Sequence, residues 1–74
     1  MTAKEALHHY YNKSGDSQPE IAFKLKVSQS SVHNWLSGKK NIPMESYYVI
    51  SRLCEIDLMQ LLPDDWKSAL NNNG

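Results

Sequence analysis

The chain has 74 residues, of which 41% are apolar, and it carries eight Lys and Arg against eight Asp and Glu. A chain this short makes one small domain that buries only about 60% of the surface its unfolded form exposes, which leaves little volume for a water-excluding pocket and favours reliance on a partner. The apolar fraction excludes a disordered chain, the lone Cys54 excludes an internal disulfide, and no apolar run approaches the roughly 18 residues of a membrane span.

The opening MTAKEALHHYY has no secretory apolar region. Thr2-Ala3-Lys4-Glu5 is a capping box, and Ala3, Ala6, Leu7, Tyr10 and Tyr11 follow at helical spacing, which predicts a first helix ending near Asn12. Ser14-Gly15-Asp16 is a loop. Ser17-Gln18-Pro19-Glu20 is a second capping box with proline in the first turn, and Ile21, Ala22 and Leu25 give the second helix its buried side. Lys26 and Val27 make a tight turn. Ser28 caps a third helix that runs to about Ser37, and Gly38 ends it in the left-handed conformation. Lys39, Lys40, Asn41 and Ile42 form a basic loop. Pro43 opens a fourth helix with Met44, Tyr47, Val49, Ile50, Leu53 and Cys54 available for the core. Asp57 caps a short fifth helix, Leu58 to Leu62, stopped by Pro63, with Trp66 folded back as a lid. No strand pattern competes. The expected fold is all-α: a compact five-helix domain over residues 1–68, with residues 69–74 a disordered tail.

Zero net charge conceals an uneven distribution. Residues 19–42 hold Lys24, Lys26, Lys39 and Lys40 against Glu20, whereas residues 43–74 hold Arg52 and Lys67 against Glu45, Glu55, Asp57, Asp64 and Asp65. The positive segment brackets the third helix, which suits a domain that turns one face to a polyanion.

The second and third helices, short and joined by a turn of about three residues, follow the helix-turn-helix plan, in which the second of the pair enters the DNA major groove. Ala22 falls at the helix crossing, and Leu25, Val27, Val32, Trp35 and Leu36 fill the inner positions. The remaining face of SQSSVHNWLSG presents small hydrogen-bonding groups where a face meant only for water would carry Lys and Glu. Ser28, Gln29, Ser30, Ser31, His33 and Asn34 are therefore the candidate base readers, since Gln pairs bidentately with adenine and Ser serves several bases. Lys24, Lys39, Lys40 and Asn41 are the candidate phosphate contacts.

The segment QPEIAFKLKVSQSSVHNWLSG resembles the helix-turn-helix of lambdoid phage Cro and repressor proteins. The longer stretch AFKLKVSQSSVHNWLSGKKNIPMESYYVISRL, followed by LLPDDW, is similar to the P22-type Cro proteins. The resemblance covers roughly residues 18–66. It implies a lambda-repressor-like domain and a transcriptional repressor that binds paired operator half-sites on double-stranded DNA, as a weak homodimer or a dimer formed on DNA. By position it implies that Gln18 contacts phosphate and braces Gln29, that Gln29, Ser30, His33 and Asn34 face bases with Ser28 and Ser31 at the edge, and that Lys39 and Lys40 touch phosphate. The expected place of work is the cytoplasm of a bacterial host cell, at the nucleoid. Two positions depart from the pattern. Lys26 stands in the turn where the family prefers Gly, and a positive φ there costs on the order of 1–2 kcal/mol. The third helix has no Arg, so the commonest guanine contact is missing and specificity tilts toward A·T positions or DNA shape.

Other constellations read as ordinary structure. His8 and His9 point about 100° apart on a helix and make a poor metal pair. No nucleophile elbow or phosphate loop appears, so neither catalysis, cofactor nor metal is expected. Tyr10, Tyr11, Tyr47 and Tyr48 could stack single-stranded bases, but their spacing places them at the core and its edge. Leu58, Met59, Leu61 and Leu62 exceed what one face of a terminal helix needs and offer a homodimer patch. His33, if it meets phosphate or a guanine acceptor, makes binding stronger as pH falls through about 6.5. Two rival functions fit the same chain: an antitoxin-like helix-turn-helix regulator, and a helical protein-interaction module without DNA binding.

Overall fold

The computed structural model describes residues 2–62. Among these the chain is all-helical and has no strand. The helices are α1 (Ala3–Ser14), α2 (Gln18–Leu25), α3 (Gln29–Ser37), α4 (Tyr47–Cys54) and α5 (Leu58–Leu61), with a 3₁₀ turn at Met44–Ser46 ahead of α4.

Side-chain caps set the starts. The Thr2 hydroxyl accepts the Glu5 N–H at 3.1 Å and the Glu5 carboxylate accepts the Thr2 N–H at 3.0 Å. Ser17 and Glu20 repeat this reciprocal pair at 3.3 and 3.2 Å. Ser28 accepts the Ser31 N–H and Asp57 the Met59 N–H. Each cap satisfies a donor that the first turn of a helix leaves unpaired. The stops are left-handed residues: Gly15 (φ 77) after α1, Lys26 (φ 59) after α2, Gly38 (φ 83) after α3 and Glu55 (φ 56) after α4.

α1 packs against α4 and α3, α2 against α3 and α4, and α5 against α4. Leu7, Ile21, Val32 and Ile50 are the largest fully enclosed side chains, joined by Ala6, Ala22, Leu25, Trp35 and Leu61. Ala22 lies on α2 facing this core, where a small side chain lets helix axes approach.

Several expectations from the sequence shift. α1 runs past Asn12 to Ser14, because its stop is Gly15. Pro43 opens a 3₁₀ turn rather than an α-helix: the Ser46 N–H donates to the Pro43 carbonyl at 2.9 Å, three residues back. Met44, on that turn, is consequently 39% exposed and contributes little to the core. Ile42, placed in a basic loop, is buried and pins that loop to the core. Tyr10 and Tyr11 are half-buried, as core-edge residues are. α5 ends at Leu61, one residue early. Pro63, Trp66, the boundary at 68 and the tail 69–74 lie outside the described residues.

Candidate nucleic-acid interface

Between α2 and α3 the chain turns within Lys26, Val27 and Ser28. The Lys26 N–H donates to the Phe23 carbonyl at 3.2 Å and the Val27 N–H to the Ala22 carbonyl at 3.0 Å, the double closure of a Schellman turn. Val27 then packs on the core, and Ser28 starts α3. α2 and α3 pack on one another across this corner, and one side of α3 stays exposed among the described residues.

On α3 the two sides are distinct. Val32 and Trp35 are buried and Leu36 is half-buried. Gln29, Ser30, His33 and Ser37 are exposed, and at 3.6 residues per turn they fall within about 100° of arc. The Gln29, Ser30 and His33 side chains make no hydrogen bond among the described residues, so their donors and acceptors are free for a ligand. The other candidates differ. The Ser28 hydroxyl caps the helix and lies 2.9 Å from the Ser31 hydroxyl, so both are engaged within the protein. Asn34 and Ser31 are half-buried, toward the edge of the face.

The basic residues also separate. Lys39, Lys40 and Asn41 are exposed just past the end of α3, and the Lys40 N–H donates to the Asn34 carbonyl at 3.3 Å, which ties the loop to the helix. Gln18 is half-buried at the start of α2. Lys24 is committed elsewhere: its ammonium meets Asp16 at 2.6 Å and the Tyr10 hydroxyl at 3.2 Å, and it lies over the Tyr10 ring. Asp16 and then Tyr10 hold the Lys24 ammonium protonated far above the ordinary lysine range. The Asp16 carboxyl is held below its usual range by Lys24 first and Tyr10 second. Nothing within the helical repeat of α2 announces this pairing, because the partners come from α1 and the loop after it.

A further feature escaped the sequence pattern. Phe23, on α2, is 84% exposed. Among the described residues no group of His, Cys, Asp and Glu could hold a metal ion, and no helix is long and apolar enough to cross a membrane.

Residues 11–69 match the family described as Bacterial toxin YdaS. The chain belongs to this family. The matched stretch begins in α1 and takes in all of α2, α3, α4 and α5, so the corner and both faces of α3 fall inside it. Comparison with curated proteins and with solved structures gave no match. Membership of this YdaS family is consistent with a small helical regulator.

Proposed function

We propose that this YdaS-family chain is a sequence-specific double-stranded DNA-binding repressor of the phage Cro type, with α2 and α3 as its helix-turn-helix. One observation carries the reading. Gln29, Ser30 and His33 stand exposed, without a side-chain hydrogen bond among the described residues, on one face of a helix whose opposite face is anchored by Val32 and Trp35. Free amide, hydroxyl and imidazole groups on a rigid helix suit base edges, and α3 has no acidic residue to repel phosphate. Lys39 and Lys40 add positive charge at the C-terminal end of that helix. Gln29, on the first turn, is the leading adenine reader, because a groove-reading helix makes its base contacts mainly from its N-terminal end. Ser28 and Ser31, already bonded to each other, act as helix-start architecture. Two chains pair on DNA, with Met59 exposed and Leu58 and Leu62 half-buried at one candidate contact.

The test is selection of the chain against random duplex DNA, repeated with Gln29→Ala. The expected result is an enriched palindrome whose preference relaxes at one symmetric pair of positions in the variant. No enrichment at low salt and high protein concentration overturns the reading.

The exposed Phe23 favours a second reading, an antitoxin-like regulator or interaction module that holds a protein through α2, since aromatics are enriched at interfaces. Salt separates the two: binding that neutralises several phosphates weakens steeply as salt rises, and an aromatic contact does not.

A further inference from the structure

A cleft of about 370 Å³ lies between the start of α1 and the loop after α3. Thr2, Lys4, Trp35, Lys40, Asn41 and Tyr47 contribute to its wall. The Lys4 ammonium crosses from α1 to the end of α3 and sits 3.0 Å from where a Cβ on Gly38 would stand. Glycine at 38 thus serves twice, adopting φ 83 and leaving room for the Lys4 head group. Among the described residues Lys4 has no hydrogen bond or ion pair, and none with an acidic side chain lines the cleft. The neighbouring Glu5 carboxylate is turned back onto the Thr2 N–H. Lys40 is fixed relative to α3 by its backbone bond to Asn34.

We propose that Lys4 and Lys40 together form a seat for one backbone phosphate of the DNA duplex that α3 reads. The proposal rests on the DNA-binding reading above and adds to it a residue from α1. The Lys4 ammonium at the end of α3, with the exposed Lys40 and Asn41 on the same cleft wall and no carboxylate lining it among the described residues, suits an anion. Position selects a DNA phosphate over a free one. α3 has nine residues and is about 13 Å long, close to the roughly 12 Å width of the major groove. With its first turn at the bases, its far end reaches the rim of the groove, where the backbone runs. Lys4 lies outside the stretch 11–69 that matches the family.

The experiment is the salt dependence of Kd for the full chain on two duplexes, one selected and one of random sequence. Lys4→Ala, Lys4→Arg and Lys13→Ala are compared with the unaltered protein. Lys13 serves as control because it sits at the opposite end of α1, away from the cleft. Lys4→Ala should weaken both duplexes by one common factor and make the log–log salt slope shallower by about 0.9, whereas Lys4→Arg keeps the slope. Between about 50 and about 200 mM salt, Lys4→Ala should then lose about 3.5-fold less affinity than the unaltered chain. Lys4 is exposed, so the melting curve should not move. An unchanged slope in Lys4→Ala, or an equal drop in Lys13→Ala, overturns the seat while leaving α3 as the reader. If the unaltered chain binds neither duplex, the DNA-binding reading itself fails and the seat goes with it.

Discussion

Lys26 and Glu55 hold nearly the same backbone conformation at two corners of the molecule, φ 59 and φ 56. At the first corner the N–H groups of Lys26 and Val27 close back onto Phe23 and Ala22. At the second those of Glu55 and Ile56 close back onto Arg52 and Ser51, the latter at 2.9 Å. Val27 and Ile56 then pack on the core, and a Ser or Asp caps the next helix. The corners diverge in what they deliver. The first leads to a nine-residue helix with a polar outer face, among lysines; the second leads to a four-residue helix with Met59 and Gln60 exposed, beside Glu55 and Asp57. Their cations differ as well. Lys24 lies over Tyr10 and is held by Asp16, while Arg52 lies over Tyr48, bonded to its hydroxyl at 3.0 Å, with no carboxylate among the described residues. The shared turn and its following apolar residue fix a corner. The side chains outside that device decide whether the surface it presents is polar among lysines or carries an exposed methionine beside carboxylates.

The strongest way to break the comparison is to remove the anchor behind each corner. Trp35 is 5% exposed and holds α3; Leu61 is 3% exposed and holds α5. Trp35→Ala should cost about 3–5 kcal/mol, enough to unfold a domain of this size. Leu61→Ala should cost about 2–3 kcal/mol, because a four-residue helix can settle into the space left. Urea unfolding followed by far-UV circular dichroism orders the two. If Leu61→Ala is the more damaging, α5 and not α3 is the keystone.

The turns themselves offer a smaller and opposite effect. A left-handed residue with a side chain is strained by roughly 1–2 kcal/mol, and glycine relieves that while adding freedom to the unfolded chain. Lys26→Gly and Glu55→Gly should each stabilise by about 0.5–1 kcal/mol and should add in the double variant, since the turns share no hydrogen-bond partner. Thermal melts measure this. Duplex affinity should then tell the corners apart, falling for Lys26→Gly, which removes a cation beside α3, and holding for Glu55→Gly.

The comparison also explains what could be read from the residues alone. Capping boxes at Thr2 and Ser17, the Ser28 cap and the Gly38 stop are signals within a few positions of each other, and so is the polar face of α3. All of these were legible, and the resemblance marked strain at Lys26, where the family prefers Gly. Glu55 was not, although its gap between helices is as short as the one at Lys26, since neither a glycine nor a resemblance points to a left-handed residue there. Lys24 looks like a free phosphate contact along the chain, yet its partners stand 8 and 14 positions away, brought in by the packing of α1 and α2. Lys4 reaches Gly38 across still more of the chain. Local hydrogen bonding was readable; the surface charge that remains available for a ligand depends on tertiary placement, which helical periodicity does not encode.

The subtlest difference between the corners lies in pH. Asp16 titrates below its ordinary 3.8, so its contribution to stability is complete above that value and is lost as pH falls through the lower folded value. Lys24 is raised above 10.5, so its contribution is complete below that value and is lost only as the solution becomes strongly alkaline. The stability gap between the unaltered chain and Asp16→Asn should therefore stay level from about pH 5 to 9 and close toward pH 2. The gap should be modest, because the Lys24 side chain is 45% exposed and the Asp16 side chain 15% exposed, within reach of water and salt. Tyr48→Phe removes the matching contact at the other corner, where no carboxylate takes part, and its gap should show no acid limb. Urea midpoints across that pH range test both. Asp16→Asn has a second consequence that Tyr48→Phe lacks. It frees the Lys24 ammonium on α2, so at pH 7 the less stable variant should bind duplex DNA more tightly at low salt and with a steeper salt slope. An affinity that falls in step with stability would mean that Lys24 reaches no phosphate even when released.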